Sequence, residues 1–240
     1  MSFAAKPYLR SVTIDPAADA DPDDYPFSIP AVRELGVLEP HPDVTFFVGE
    51  NGAGKSTVLE AIAVALDMPA EGGTRNVLRE QQEVSPLHRC LKLVKGFKRP
   101  RYSYFLRAES LFNVFTYLDS LPGNPEPSLH LRSHGEAFMD VLQGFSGDGI
   151  YLLDEPEAAL SPNRQLAALA VIDRLVKQGA QFIIATHSPI LLAYPRAKIL
   201  LFDETGISHV DYEDTEHYAV TRDFLNHYPR RLQQLLDDAD

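Results

Sequence analysis

The chain has 240 residues, 45% of them hydrophobic and 23% charged, a composition typical of one large globular α/β domain. Its net charge of −12 argues against broad contact with nucleic acid or anionic membranes, so we expect no tight binding of duplex DNA by the chain alone. The single cysteine excludes an intrachain disulfide and is typical of a reducing compartment, and no apolar run has the length of a transmembrane helix. We therefore expect a cytoplasmic protein without direct membrane insertion.

The first predicted elements lead to a buried strand. Tyr8–Ile14 alternates weakly and predicts a strand, and the Asp- and Pro-rich residues 15–26 predict a solvated loop before a short strand at Phe27–Ile29. Val44–Val48 is apolar and β-branched, which is typical of a strand buried on both faces. Lys55–Leu66 predicts a helix because apolar residues recur on one side at helical spacing. These apolar residues are Val58, Leu59, Ile62 and Leu66.

Between this strand and this helix lies a glycine-rich turn, Gly49–Ser56, which fits the pattern G-x-x-x-x-G-K-[ST] without a mismatch. Its glycines allow a tight turn whose backbone N–H groups bind phosphate oxygens, and the helix that follows adds the positive end of its dipole. The spacing assigns the Lys55 ammonium to the β- and γ-phosphates of a nucleotide and the Ser56 hydroxyl to Mg²⁺. The residues predicted to bind the phosphates of ATP are Glu50, Asn51, Gly52, Ala53, Gly54, Lys55, Ser56 and Thr57.

The middle of the chain has a weaker pattern. Leu91–Val94 and Tyr102–Leu106 predict two strands on either side of a basic turn, which we interpret as solvated surface. Residues 107–118 predict a helix, and Ser133 begins a further helical pattern that ends at Gly144. The basic residues in and around the turn are Lys92, Lys95, Lys98, Arg99 and Arg101.

The second half alternates between strands and helices. Ile150–Leu153 predicts a short strand that ends in an acidic turn. Ser161 is a predicted N-cap, and the helix after it runs to about Gln178 and stops at Gly179. Gln181–Ala185 predicts the next strand. The apolar side of the helix is predicted at Leu166, Leu169, Ala170 and Val176.

The last residues predict a hairpin and helices. Lys198–Phe202 and Gly206–Val210 predict the two strands of a β-hairpin, and Thr215–Leu236 predicts two helices broken at Pro229. The sequence contains no internal repeat, heptad array or low-complexity tract, so we expect an undivided domain.

Two candidate catalytic residues follow the predicted strands. A P-loop nucleoside triphosphatase needs a second acidic site for Mg²⁺ at the end of a neighbouring strand, and Asp154 ends the strand at Ile150–Leu153. We expect Asp154 to hold Mg²⁺ through water, and Glu155 to orient or deprotonate the attacking water. His187 follows the next strand and is a candidate contact of the γ-phosphate or the water, although a lone histidine is more often structural.

In these motifs the chain resembles the ABC-class ATPases. Gly49–Thr57, Leu152–Glu157 and Thr186–Ser188 are similar to the Walker A, Walker B and switch-histidine motifs of that class. Phe105–Glu109 and Ser133–Glu136 narrow the resemblance to small soluble bacterial AAA-family ATPases, relatives of the RecF and SMC-type heads. The motifs span most of the chain, and their order and spacing are specific in combination.

The resemblance implies a single ABC-type ATPase domain over residues 1–240. Its core is a mostly parallel α/β sheet flanked by helices, with a smaller antiparallel β subdomain and a helical segment at about residues 107–145. The resemblance also implies that the protein binds Mg·ATP, forms a head-to-tail homodimer around two nucleotides and hydrolyses ATP by in-line attack of water. The ATP cycle then drives or gates a protein partner that the sequence does not identify.

The signature loop of the class reads Leu-Ser-Gly-Gly-Gln, and the matching positions here are Arg132–Glu136. Ser133 and Gly135 agree with it, and the resemblance implies that both contact the γ-phosphate bound by a second subunit. The other three positions differ. Ser133 and Glu136 also form a capping box, and a helix N-terminus can serve both purposes.

Further positions depart from the class. Ser161 stands where an Asp is usual after Walker B, and no glutamine marks the Gln loop. Arg107 or Glu109 lies at that place: Glu109 is the tentative equivalent, and a solvent-facing ion pair is an equally good account. The aromatic residues that we consider for stacking on adenine are Tyr8, Tyr25 and Phe27.

Three other functions remain open on the sequence: the ATP-binding subunit of a membrane transporter, a nucleotide-dependent interaction module with little hydrolysis that acts with a nuclease- or toxin-type effector, and a DNA-repair ATPase. The divergent signature loop argues against the first. The acidic pair Asp154 and Glu155 argues against the second, since it favours hydrolysis. The third would need a local basic patch or a partner, because the overall charge is acidic.

Overall fold

The computed structural model describes residues 6–18, 21–70, 72–74, 85–108 and 134–237. The strands are β1 (Leu9–Ile14), β2 (Val44–Val48), β3 (Gly73–Thr74), β4 (Leu91–Lys95), β5 (Tyr102–Arg107), β6 (Gly149–Asp154), β7 (Gln181–Ala185), β8 (Lys198–Asp203) and β9 (Gly206–His209). The α-helices are α1 (Pro30–Arg33), α2 (Lys55–Ala65), α3 (Leu87–Cys90), α4 (His134–Gln143), α5 (Pro162–Gln178), α6 (Pro189–Leu192) and α7 (Glu216–Asp237). Two 3-10 turns lie at Pro156–Ala159 and Tyr212–Asp214.

The central sheet has the strand order β3-β5-β6-β7-β2-β8-β9. Its five inner strands are parallel, the outer strands β3 and β9 are antiparallel to their neighbours, and β1 and β4 form a separate antiparallel sheet. The predicted fold class is therefore confirmed. Because the inner strands are parallel, the residues that follow them meet at one edge of the sheet, which is where open α/β sheets bind ligands.

Helices cover both faces of this sheet, so its central strands β2, β6 and β7 are buried at every position. In β2, Phe47 faces the core under α2, and Phe46 faces the core under α4 and α5. The apolar side predicted for α2 is buried in the first of these cores, as expected. Complete burial of one such side chain stabilises the fold by about 1.5–3 kcal/mol.

One buried polar side chain joins the small sheet to the large one. Gln181, at the start of β7, accepts hydrogen bonds from the backbone N–H groups of Tyr8 and Leu9 at 2.8 and 2.9 Å. Its amide nitrogen donates to the carbonyl oxygens of Leu9 and His41 at 3.0 and 3.1 Å. Both ends of this amide are therefore satisfied although the side chain is fully buried.

The predicted apolar side of α5 is partly wrong. Leu166 is 56% exposed and Ala170 is also exposed, whereas Val176, on the same predicted side, is buried. Gln165 belongs to the buried side because its amide donates to the Leu160 carbonyl at 3.0 Å and accepts from the Ser188 hydroxyl. Because a polar residue lies on the buried side, the pattern of apolar residues alone indicated the wrong buried side of the helix. The buried residues of α5 are Gln165, Ala168, Ile172, Leu175 and Val176.

Two further expectations are corrected, and a third is met with a small shift in position. Phe27–Ile29 lies in a turn rather than a strand, because Pro30 is preorganised for the first position of α1. Arg107 is the last residue of β5, not the first of a helix, and residues 109–118 lie outside the described residues. The predicted break at Pro229 is a kink within α7, with non-helical dihedrals at His227. Among the described residues, no helix has both the length and the apolar character needed to span a membrane.

Candidate active site

The turn after β2 depends on glycine. Gly49 has φ = 142°, and a Cβ atom there would lie 2.2 Å from the carbonyl oxygen of Phe202 in β8. Gly54 has φ = 96° and precedes the first residue of α2. Side chains at these positions would strain the backbone, and at Gly49 the side chain would also collide with a strand. The loop can therefore fold closely over the end of the sheet.

The Lys55 side chain lies inside this loop. Its ammonium donates to the carbonyl oxygens of Gly49 and Glu50, each at 2.8 Å, and the residue is only 4% exposed. Burial lowers the pKa of Lys55 below its ordinary value, and the carboxylates of Glu155 and Asp154 oppose this shift. Since neutral carbonyls are its hydrogen-bond partners here, this buried cation fits a polyphosphate as counter-charge.

The two predicted magnesium ligands touch each other. The Ser56 hydroxyl donates to Oδ1 of Asp154 at 2.8 Å, although 98 positions separate the two residues. Strand β7 lies between β2 and β6, so Asp154 ends the second strand from the P-loop strand rather than its immediate neighbour. The pair still meets, because α2 carries Ser56 across the strand ends.

A metal ion would need further ligands at this place. Among the described residues, no group of three or more His, Cys, Asp or Glu side chains is arranged to hold a metal ion. Magnesium in nucleotide sites takes one or two carboxylates together with water and substrate phosphates. Ser56 and Asp154 therefore fit an ion that arrives with a nucleotide.

Arg107 holds the other oxygen of Asp154. Its Nε atom donates to Oδ2 of Asp154 at 3.0 Å, and its Nη2 atom donates to Oε2 of Glu60 at 3.0 Å. Burial disfavours the charged guanidinium, but the two carboxylates outweigh burial and raise the pKa of Arg107. A solvent-facing ion pair was one of two accounts of this position; at Arg107 the pair is mostly buried, with the arginine side chain 22% exposed. Glu109, the tentative Gln-loop equivalent, lies outside the described residues.

Glu155 has an unusual backbone conformation. Its φ and ψ are 48° and 52°, a left-handed conformation that is uncommon for a residue with a side chain, and its N–H donates to the Ala185 carbonyl at 2.9 Å. The turn brings the Glu155 carboxylate to 3.8 Å from Nε2 of His187. Such conformations cluster at functional sites, where the surrounding structure holds them in place.

Glu157 links the ends of β6 and β7, and the sequence motifs assigned it no role. Its carboxylate accepts hydrogen bonds from the Thr186 hydroxyl, at 2.7 Å, and from the backbone N–H of His187. These bonds fix the turn that carries His187. The sequence could have indicated this contact, because Glu157 follows β6 and the polar residues Thr186 and His187 follow the neighbouring strand β7.

His187 is held by a second histidine that sequence reasoning missed. Its Nδ1 atom lies 2.9 Å from Nε2 of His217, at the start of α7, and its buried Nε2 atom has no hydrogen-bond partner among the described residues. Burial, together with the charge of Lys55 and the His217 ring, lowers the pKa of His187 to about 4. No short motif surrounds His217, so only the fold could reveal this contact.

The aromatic candidates differ in access. Tyr8 and Phe27 are buried in the core, whereas Tyr25 is 63% exposed. The Tyr25 hydroxyl lies 3.4 Å from the hydroxyl of Thr57, in the first turn of α2. Among these three rings, only Tyr25 is available to a ligand beside the P-loop.

The described part of the signature loop packs on the turn after β6. A Cβ atom at Gly135 would lie 2.8 Å from the Ala159 carbonyl oxygen, so a larger residue would displace this turn. Arg164, in α5, pairs with Glu136 at 3.1 Å. Ser133 lies outside the described residues, and the Ser161 side chain makes no capping hydrogen bond.

A cleft of 690 Å³ opens beside the P-loop. It extends from the glycine-rich turn to the β8–β9 hairpin and to the start of α7, so His217 forms part of its wall. Its other lining residues include Pro30, Glu50, Asn51, Gly52, Ala53, Asp203, Thr205, Thr215 and Glu216.

Two protein families match the parts of the chain that build this site. Residues 28–88, which contain the P-loop, match the family described as "AAA domain". Residues 115–193, which contain Asp154, Glu155 and His187, match the family described as "AAA domain, putative AbiEii toxin, Type IV TA system". Over both of these segments, the chain is therefore similar to AAA domains.

The curated relatives of this chain are larger proteins. It is 24% identical over 190 residues to ABC multidrug transporter A-1 of Aspergillus fumigatus, an alignment that covers 68% of the chain and 13% of the transporter. It is 21% identical over 210 residues to the brefeldin A resistance protein of Schizosaccharomyces pombe, with 77% of the chain and 14% of that protein covered. The chain thus spans about one seventh of the length of these relatives or less.

Solved structures with some similarity include an SMC head domain and a component of an ABC transporter complex. The SMC head domain from Thermotoga maritima is 16% identical, with a TM-score of 0.44 and coverage of 85% of this chain and 98% of that chain. CbiO1 from Clostridium perfringens, part of the ABC transporter complex cbiONQ, is 15% identical, with a TM-score of 0.43 and coverage of 84% and 90%.

Proposed function

We propose that this domain binds Mg·ATP and hydrolyses it, and that the cycle of binding and hydrolysis drives or gates a protein partner. The observation that carries the proposal is the hydrogen bond between Ser56 and Asp154, which unites the two predicted magnesium ligands beside the buried Lys55. Bound Mg·ATP supplies the reactive phosphoanhydride and the divalent charge.

The residues of the site then have separate tasks. Lys55 binds the phosphates from inside the loop, and Ser56 and Asp154 hold the metal ion and its water. Arg107 keeps the Asp154 carboxylate in place, since it binds one of its oxygens. Glu155 accepts the proton of the attacking water, and Nε2 of His187 offers a hydrogen bond to the γ-phosphate.

We further propose that two copies of the domain enclose two nucleotides. In this arrangement Ser133 and Gly135 of one subunit contact the γ-phosphate at the P-loop of the other. Support comes from the Glu155 side chain, which is 38% exposed. The edge of the sheet that carries Asp154, Glu155 and His187, here called the catalytic edge, therefore has room for the surface of a second subunit. Gly135 also sits on the turn that carries Glu155, which would couple the signature loop to the catalytic carboxylate.

A second candidate is an interaction module that turns over ATP slowly. It is favoured by α7, whose residues include large apolar side chains with 39–67% exposure. Exposed apolar surface of this kind is typical of protein contacts. The transporter relatives and the toxin named in the second family description offer two classes of partner.

Phosphate release and nucleotide binding, measured in parallel, test the primary proposal. Glu155→Gln should bind a fluorescent ATP analogue like the wild type but release phosphate about 100-fold more slowly, because Gln cannot accept a proton. Lys55→Ala should lose binding, with Lys177→Ala, a surface lysine of α5, as the control. Hydrolysis that persists in EDTA, or that is indifferent to Glu155→Gln, would contradict the proposed chemistry. Normal binding without hydrolysis under any condition would favour the interaction module.

A further inference from the structure

His217 occupies a fixed position beside the catalytic edge. Its ring lies 5.1 Å from the His187 ring, between centroids, and the two nitrogen atoms are 2.9 Å apart. The buried Thr215 hydroxyl donates to the Tyr212 carbonyl at 2.7 Å and accepts from the Tyr218 N–H at 3.3 Å, which caps α7. The Tyr212 hydroxyl in turn donates to the Pro189 carbonyl at 2.9 Å, two residues after His187. The start of α7 is therefore tied to the same segment that carries His187.

Two neutral imidazoles can share only one proton in such a contact. Burial lowers the pKa of both histidines, and the charge of Lys55 lowers both further, so both rings are neutral near pH 7. In one arrangement His187 donates from Nδ1 and leaves a lone pair on its Nε2. In the other, His217 donates from Nε2 and His187 carries its proton on Nε2.

The surroundings of His187 favour the second arrangement. Its Nε2 atom is buried, has no hydrogen-bond partner and lies 3.8 Å from the Glu155 carboxylate. A lone pair on Nε2 would face this negative charge, whereas an N–H group is attracted to it. The same N–H group is the one that an anionic phosphate oxygen requires as a donor.

We propose that His217 is a positioning residue of the ATPase site: its Nε2–H group donates to Nδ1 of His187 and holds His187 in the tautomer whose Nε2–H group faces the γ-phosphate. The inference rests on the proposed function and adds to it a link between the γ-phosphate and the first turn of α7. Loss of the γ-phosphate removes the acceptor of His187 and so weakens the preference for this tautomer at both rings.

NMR of the complete chain with ¹⁵N-labelled histidine tests the proposal, because ¹⁵N shifts distinguish the two neutral tautomers. At pH 7, without nucleotide, we expect the proton of the pair on Nε2 of His217, with a scalar coupling across the hydrogen bond to Nδ1 of His187. Addition of Mg²⁺ and a non-hydrolysable ATP analogue should strengthen this pattern. A proton on Nδ1 of His187 in both states would overturn the proposal, and this measurement needs no variant.

Two substitutions add a kinetic test. His217→Phe removes the donor and should leave His187 as a mixture of tautomers, with kcat lowered about tenfold and KM changed less. His217→Gln keeps an amide donor near the position of Nε2 and should restore both the tautomer and most of kcat. His209→Phe, on β9, is the matched control and should change neither. An unchanged His187 tautomer in His217→Phe would refute the positioning role.

The two proposals fail in distinguishable ways. If the wild type neither binds nor hydrolyses ATP, the proposed function fails, while the tautomer in the nucleotide-free protein still reports on His217. If ATP is hydrolysed but His217→Phe retains the wild-type tautomer and kcat, only the inference on His217 fails.

Discussion

At the scale of single residues, the site is built from backbone conformations as much as from functional groups. Gly49 approaches β8 so closely that only a residue without a side chain fits, and Glu155 adopts a left-handed conformation at the end of β6. Each of these backbone conformations sets the direction of a functional group, which the order of side chains along the sequence does not indicate. The P-loop carbonyls turn toward Lys55, and the Glu155 carboxylate turns toward His187.

Gly49→Ala tests the close approach to β8. The new methyl group would collide with the Phe202 carbonyl, at 2.2 Å, and would force a side chain into a conformation with φ = 142°. We expect a loss of about 1–3 kcal/mol in the free energy of unfolding, equivalent to a decrease in Tm of at least about 2 °C. Gly36→Ala is the control, because a Cβ atom there meets no atom within 4 Å. Equal melting temperatures for the two variants would show that β8 can move away from the new methyl group without a loss of stability.

The buried histidine predicts a pH dependence of stability. The folded state holds His187 with a pKa of about 4, below its ordinary value of 6.5, so the unfolded chain binds the proton more tightly. The free energy of unfolding therefore keeps its full contribution from His187 above about pH 6.5 and loses it as the pH falls toward 4. Urea unfolding at pH 7, 6 and 5 should therefore show decreasing stability, and His187→Gln should flatten the decrease. His209→Gln serves as the control, and an unchanged slope in His187→Gln would contradict the assignment.

Some residues of the candidate site belong to short sequence motifs, and others depend on contacts between distant parts of the chain. Lys55, Asp154 and Glu155 were predictable because each follows a recognisable strand at a fixed spacing, and the structure brings them to one edge. The roles of Arg107 and His217 were not, because they depend on contacts with residues 47 and 30 positions away. Spacing along the chain cannot reveal a partner that the fold alone brings near.

At the scale of elements, the buried strands were the easiest to predict. Val44–Val48 and Gln181–Ala185 have the predicted bounds, because strands covered on both faces are buried at every position and consist mostly of apolar residues. The phase of α5 was wrong because Gln165 is buried and hydrogen-bonded, which a pattern of apolar residues cannot represent. The paired strands of the small sheet also depend on a polar contact that no periodicity indicates.

Gln181→Leu tests the contact between the two sheets. The substitution removes four hydrogen bonds and leaves the Tyr8 and Leu9 N–H groups without partners in a buried position. Because an unsatisfied buried group costs about 1–3 kcal/mol, we expect a loss of at least about 2 kcal/mol in urea unfolding. Gln178→Leu, at the exposed end of α5, is the control. Faster hydrogen exchange in β1 should accompany the loss, and native protection of β1 would contradict the proposed contact.

At the scale of the whole molecule, the proposed arrangement of two subunits makes nucleotide affinity and dimer affinity interdependent. Glu155→Gln should retain Mg·ATP and accumulate as a dimer, since in this arrangement the nucleotide would be held by the P-loop of one subunit and by Ser133 and Gly135 of the other. Light scattering after size exclusion should show a monomer without ATP and a dimer with it.

Addition of Ser133→Arg to Glu155→Gln separates the interface from the nucleotide site. The double variant should bind ATP as a monomer, because the larger cation obstructs the facing surface. A Glu155→Gln protein that stays monomeric in saturating Mg·ATP would exclude this arrangement for the isolated chain. A dimer that survives Ser133→Arg would place the interface elsewhere and leave Ser133 as a helix cap.

Helix α7 begins at the catalytic edge, and from Phe224 onward every described residue of it is exposed. With 22 residues it is about 33 Å long, so a rotation of about 10° at its first turn displaces its far end by about 6 Å. The helix would then pivot about the contact between His217 and His187. In the proposed cycle, a small adjustment of one imidazole would then displace the exposed end of α7 by several ångström, enough to change the surface that it offers to a partner.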